Sequence, residues 1–204
     1  MSTSANLWQS AWDDSKGDID LTTARVGGRA TKANPNKEDA TFWQTKGPEW
    51  VEAYIAWRKH NSNWKIWTAP DGNPGIELAL TPVVADVPIK MIIDRVFEVN
   101  GELVIVDLKT SQNTPASSLQ LGFYKLGLEM QFGIKIKWGT YYMSRGSNIS
   151  EMVDLSEYTY EKMEYLISQF DKARKAGIFL PNTNNCQYLC GLTAHCQFST
   201  KKDK

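Results

Sequence analysis

Asp94, Asp107 and Lys109 interrupt MIIDRVFEVNGELVIVDLKTS, residues 91–111, a stretch otherwise so rich in Ile, Val and Leu that it reads as two buried strands. Asp107 and Lys109 are two apart in one strand and therefore share a face. Asp94, on the strand before, lies near Asp107 across the hairpin, and Glu77 in GIELAL arrives on a third strand. Three carboxylates converging on one sheet edge repel one another unless a divalent cation joins them, and hard oxygen ligands of this kind suit Mg2+ or Mn2+. A cation so held activates water and polarises a phosphoryl group, while a lysine beside it orients the water and stabilises the charge of the transition state. Asp-x-Lys supplies both halves of phosphodiester hydrolysis from one strand face. The plainer alternative is a cross-strand ion pair between Asp107 and Lys109, since so short a motif recurs by chance.

The elements that must position these residues follow from periodicity. Asn100-Gly101 is the dipeptide that most strongly favours a tight hairpin turn, so strands at 89–99 and 102–109 are expected as antiparallel neighbours. Before them, WKIWTAP and GIELALTPV read as short strands separated by the turn signal DGNPG. TFWQTKGPEWVEAYIAWRK, from Thr41 to about Lys59, spaces Trp50, Val51, Tyr54, Ile55 and Trp57 as an amphipathic helix with Pro48 in a first turn. After the polar break SQNTPAS, SLQLGFYKLGLEMQFG reads as a helix despite two glycines, and IKIKWGTYYMSR alternates as a strand. EYTYEKMEYLISQFDKARKAG is a periodic helix ending at Gly177. The order predicts a mixed α/β domain (α+β mixed) with a central mixed sheet flanked by helices over 41–180. Residues 1–40 read as polar and largely irregular, with a short helix at 5–13, and 181–204 as a cysteine-bearing tail packed on the core.

Taken together, Glu77, Asp94-Arg95, Asp107-Leu108-Lys109-Thr110 and Gln120-Leu-Gly-Phe-Tyr124 stand in an order that resembles the RecB-like exonuclease branch of the PD-(D/E)XK nuclease superfamily. The resemblance implies a restriction-endonuclease-like core and a Mg2+- or Mn2+-dependent deoxyribonuclease. It implies Asp94, Asp107 and the backbone carbonyl of Leu108 as metal ligands and Lys109 as the catalytic lysine, while Glu77 is either a metal-proximal acid or merely the exposed side of an edge strand. Gln120 and Tyr124, one helical turn apart, are implied to face the same cleft and contact DNA or the metal-bound phosphate. On the residues alone, an ordinary polar helix face is the alternative for that pair. The pattern departs from the family upstream, where many relatives place a His or Glu on the first core helix after a glycine. Here Glu52 stands nearest to that role after Gly47, with His60 beyond it, and a solvated helix residue is the alternative for Glu52.

The only three cysteines, Cys186, Cys190 and Cys196, lie in the last 19 residues as C-x3-C-x5-C. Their spacing resembles the C-terminal clusters of RecB-like nucleases that hold a [4Fe-4S] cluster, among them CRISPR-adaptation nucleases, but the fourth cysteine of those relatives has no counterpart here. A cluster closed by His60 or another side chain, a zinc ion, and reduced thiols packed as small hydrophobes are the competing readings; His195, adjacent to Cys196, is poorly aimed at a shared ion.

Lys plus Arg and Asp plus Glu each total 23, so DNA contact must come from a local patch rather than bulk charge. Lys46, Arg58, Lys59 and Lys65 are candidates for it, lying among five of the eight tryptophans: Trp43, Trp50, Trp57, Trp64 and Trp67. Aromatics stack unpaired bases, but seven-residue spacing assigns Trp50 and Trp57 to packing. MSTSANLWQSAWDDSKGD has no basic n-region and apolar core, and no stretch approaches a membrane span, so a soluble, cytoplasmic protein without a membrane partner is expected. A phage source, in a host cytoplasm, is implied by resemblance alone, as is a recombination or single-strand-binding partner. The alternatives from other classes are a non-catalytic DNA-binding or assembly subunit that keeps the fold, and a structural metal protein in which only the cysteine tail matters.

Overall fold

The computed structural model describes residues 3–21, 31–32, 35, 37–181 and 195–199. In chain order the elements are α1 (Thr3–Lys16), α2 (Ala40–His60), β1 (Lys65–Ile66), β2 (Ile76–Leu80), β3 (Val83–Val84), β4 (Val87–Pro88), β5 (Met91–Val99), β6 (Glu102–Lys109), α3 (Leu119–Phe132), β7 (Trp138–Met143), β8 (Asn148–Ile149), β9 (Val153–Asp154) and α4 (Tyr160–Lys175). Among the described residues no helix is long and apolar enough to cross a membrane.

The sheet is built on the β5–β6 hairpin. Asn100 and Gly101 both take positive φ, 53° and 84°, and register the strands with Val99 opposite Glu102. β6 then pairs in parallel with β7 on its other side, Asp107 standing beside Tyr141, and α3 is the crossover that a parallel pair requires. β1 and β2 add to β5, and the short β8 and β9 add to β7, giving a mixed sheet of seven strands. IKIKWGTYYMSR is a strand only over Trp138–Met143, and GIELALTPV ends as a strand at Leu80, where Thr81-Pro82 leads into the separate β3–β4 hairpin.

Each face of the sheet is covered by one helix, so β6 is apolar on both sides. Ile105 joins Leu121, Tyr124 and Leu128 of α3 on one face; Val104 and Val106 join Phe97 and Tyr142 beneath Tyr54 and Trp57 of α2 on the other. The two glycines of α3 are explained by contact. A Cβ at Gly122 would lie 2.5 Å from the Tyr158 ring, and one at Gly127 would lie 2.3 Å from Met91 Sδ. Their absence lets the helix seat Leu121 and Leu128, both fully buried and each contributing about 1.5–3 kcal/mol. Gly133 ends α3 at φ 66°, and α4 stacks outside it through Met163 and Ile167 against Leu126.

The N-terminal region departs from expectation. α1 runs over Thr3–Lys16 rather than 5–13 and packs on α2, where the indole of Trp8 occupies the place a Cβ on Gly47 would take, 2.1 Å from its ring. α2 starts earlier than expected because Asp39 caps it, accepting the Phe42 N–H at 2.8 Å. Pro48 is therefore inside the helix and removes one of its amide donors.

Candidate active site

β6 delivers the acid and the lysine. Asp107 follows Ile105 on the α3 face, where it is 2% exposed, and Lys109 is two residues further toward the rim. Lys109 Nζ lies 2.6 Å from Asp107 Oδ2, yet that buried oxygen receives no hydrogen bond of proper angle, so the contact is an ion pair by distance alone. Lys109 instead donates to Gln120 Oε1 at 2.9 Å, and Gln120 Nε2 donates to the Tyr124 hydroxyl at 2.8 Å. The i,i+4 pair on α3 thus extends a run of polar contacts from the two charged residues of β6, with the Tyr124 hydroxyl near enough to Asp107 to feel its charge.

Asp94 enters from the neighbouring strand at the point where pairing stops. Arg95 opposite Val106 is the last matched pair of β5 and β6, and one step beyond it Asp94 Oδ2 accepts the Leu108 N–H at 2.7 Å. The carboxylate replaces a ladder bond as the strands part. Because N–H and C=O of one extended residue point the same way, the Leu108 carbonyl also faces the Asp94 side. Val96 joins the α3-side core as Ile93 does, three residues earlier, so the alternation is broken between them, at Asp94-Arg95.

Electrostatics mark this corner as strained in charge. Burial pushes the Asp107 carboxyl up, more than the nearby Lys109 draws it down, and Asp94 adds repulsion. Burial and then the Asp107 charge raise the hydroxyls of Tyr124 and of Tyr141, the latter beside Asp107 in the parallel ladder. A buried carboxylate oxygen with no aligned donor, a second carboxylate close by and a carbonyl facing the same side are the donor set of a hard divalent cation, and they fit Mg2+ or Mn2+.

The third expected carboxylate does not join them. Glu77 sits at φ 47° and pairs with Arg95 Nη1 at 3.3 Å, and its side chain is 62% exposed. Arg95 is registered to Val106, the neighbour of Asp107, and so serves the opposite face of the sheet. Among the described residues no three His, Cys, Asp or Glu side chains are placed to hold an ion together. Glu52 is exposed on α2, two residues from both Trp50 and Tyr54 and therefore turned away from the sheet, and α2 lies on the face opposite Asp107. His60, in the last turn of α2, is exposed as well.

The expected basic patch divides. Arg58 is spent on structure: it donates to the Trp64 carbonyl at 2.7 Å and lies over Phe97, 4.6 Å from the ring centre. Lys59 and Lys65 are exposed, and Lys46 pairs with Glu49 at 2.7 Å in a cleft it shares with Trp50 and Arg145. Trp57 packs on Phe97 and Tyr142, as its spacing requires. Arg145 was not foreseen. It donates to the carbonyl of Thr110, next after Lys109, pairs with Glu38 at 2.9 Å and lies 5.2 Å from the Trp50 ring centre, tying the end of β6 to α2. Tyr141 was also missed, although its alternation in GTYYM with the more buried Tyr142 was the available signal.

Of the tail, Cys186 and Cys190 lie outside the described residues, and Cys196 is half-buried with a free thiol. Three thiolates are one short of the four that usually hold such a cluster.

The model of the PD-(D/E)XK nuclease superfamily matches residues 8–197. The chain is also similar to the Gene 69 protein of Mycobacterium phage D29, 32% identical over 159 residues that cover 74% of this chain and 58% of that protein. Similarity to the Gene 69 protein of Mycobacterium phage L5 is 31% over 176 residues, 74% of this chain and 60% of that one. The chain spans about three-fifths of the length of these relatives.

Proposed function

The chain belongs to the PD-(D/E)XK nuclease superfamily, and on that premise we propose that it is a Mg2+- or Mn2+-dependent deoxyribonuclease of RecB-like type, an exonuclease working from DNA ends in recombination, repair or the processing of phage DNA. One observation carries the reading: Asp107, Lys109, Gln120 and Tyr124 form a continuous polar run beside Asp94 at the parting of two strands. The α3 members of the run support the RecB-like assignment, because a bare Asp-x-Lys has no use for them.

Asp94, Asp107 and the Leu108 carbonyl are the residues that would hold the cation. When bound, a divalent ion supplies a Lewis acid for the phosphoryl group and lowers the pKa of water. Lys109, tethered by Gln120, presents its ammonium at the rim to the non-bridging phosphate oxygens and stabilises the charge that grows on them. Gln120 and Tyr124 fix the lysine and Asp107 in place, so that little reorganisation is needed at the moment of reaction. Phosphate contacts elsewhere come from exposed Lys59 and Lys65, Lys46 being half-buried and paired with Glu49.

End-labelled linear DNA, single- and double-stranded, incubated with Mg2+, Mn2+ or EDTA tests the proposal. Cleavage that requires the metal and is lost in Asp107→Ala and Lys109→Ala is the expected result, and the products give the polarity. Folded protein that cleaves nothing under any of these conditions would shift the assignment to a binding subunit. Iron, sulfide and zinc analysis of protein purified without oxygen decides whether the three tail cysteines carry a [4Fe-4S] cluster, zinc or neither.

A further inference from the structure

A cleft of about 520 Å3 opens between β5 and α3, and its edge is formed by Gln120 and Tyr124, the hydrogen-bonded pair of α3. Its walls are Ile89, Met91, Ile92, Leu119 and Phe123, with Lys90 as the one cation and no carboxylate among the lining residues. Ile92 is 45% and Leu119 37% exposed, so the apolar walls open to solvent beside the charged site. The walls are also contiguous with the chemistry, since Met91 and Ile92 precede Asp94 by three and two residues on β5.

We propose that this cleft receives the unpaired base of the nucleotide adjoining the cleaved phosphodiester, so that the protein acts on single-stranded or frayed ends. The inference rests on the nuclease reading and names its substrate more narrowly. A phosphate placed at Asp107 and Lys109 puts a neighbouring nucleoside against the Gln120–Tyr124 edge, and the only walls it then meets are apolar. Such a surface suits the uncharged faces of a base, with the Phe123 ring as a stacking partner and Lys90 at the mouth for the next phosphate. It does not suit a phosphate backbone, which needs several cations in a row. A base inside a duplex is held by its pair and its stack and cannot enter without being pulled out. The cleft on the α2 side differs in lining, since charged Lys46, Glu49 and Arg145 stand among its walls.

The experiment uses the full chain and short single-stranded deoxyoligonucleotides in which one residue at a time, from each end, is abasic. Wild-type protein is expected to lose roughly tenfold in kcat/KM when the abasic residue adjoins the cleaved bond, about 1.4 kcal/mol. Ile92→Ser with Leu119→Ser is expected to lose the same on the complete strand and nothing further on the abasic one. Equal cleavage of complete and abasic strands by the wild type, or equal losses by the variant on both, overturns the proposal. Binding separates its failure from that of the nuclease reading. An oligonucleotide ending in 2-aminopurine should change its fluorescence with wild-type protein and much less with the serine variant, whether or not the chain cleaves it. The same change in both proteins sinks the cleft, whereas absence of cleavage with the expected fluorescence difference sinks only the catalytic assignment.

Discussion

The two faces of β6 carry opposite solutions to the same problem of filling space beneath a helix. Under α2, Val104 and Val106 meet Phe97, Tyr142, Tyr54 and Trp57, and even the cation there, Arg58, lies over a ring with its guanidinium bonded to a carbonyl. Under α3, the same strand begins apolar at Ile105 and then presents Asp107 and Lys109 toward the polar pair Gln120 and Tyr124. One residue of phase separates Val106 from Asp107. Charge is tolerated beneath a helix where the helix supplies partners and a rim opens to solvent, and is absorbed into packing where it does not.

The largest test of that contrast is Asp107→Ala, expected to lower metal-dependent cleavage on the order of 10³-fold while leaving the fold intact. Asp107→Asn separates activity from stability further. The native carboxyl titrates above its unfolded value, so its contribution to stability is complete below the ordinary aspartate range and is lost as pH rises through the raised native value. In metal-free buffer near neutral pH the Asn variant should therefore melt no lower than wild type, and higher if burial dominates, with the pH slope of Tm reduced. A divalent cation should stabilise wild type and not the variant. Thermal melts across pH, with and without Mg2+, decide it; a variant that melts several degrees lower without metal would show that Asp107 is held by the fold rather than held against it.

On the other face, Trp57→Ala should lose about 3–5 kcal/mol in urea unfolding, without any change in metal requirement of the folded fraction. A milder break comes from Gly122→Ala. Its new methyl meets the Tyr158 ring, so about 1–3 kcal/mol of destabilisation is expected, relieved in part when Tyr158→Ala is added. Gln120 is exposed, so Gln120→Ala should leave Tm unchanged and lower kcat about tenfold by freeing Lys109, with the loss falling on kcat more than on KM. Smallest of all is Glu52→Gln, which faces away from the sheet on the α2 side and should alter cleavage by less than about twofold; a large loss there would place an α2 acid at the metal after all.

Local chemistry made much of this legible in advance. Asn100-Gly101 dictates a turn with two positive φ angles, and that turn registers β5 on β6. Two-residue and four-residue spacings put Asp107 with Lys109 and Gln120 with Tyr124, and these needed only to be brought together. The Asp39 cap was equally readable and would have started α2 earlier. Glu52 could have been set aside by the same helical wheel that assigned Trp57 to packing.

By itself, then, the sequence determined which side chains share a face within each element, because strand and helix periods are local properties of the backbone. Only the tertiary structure decided which faces meet. That Glu77 turns to Arg95 depends on a left-handed φ that an alternating strand pattern does not announce. That Asp94 meets Leu108 depends on where β5 and β6 part, that Trp8 seats on Gly47 depends on how α1 docks, and that Arg145 braces Thr110 depends on the β7–β8 turn reaching back to β6. Each is a contact between residues distant in the chain, selected by packing and unpaired amides that no window of sequence contains.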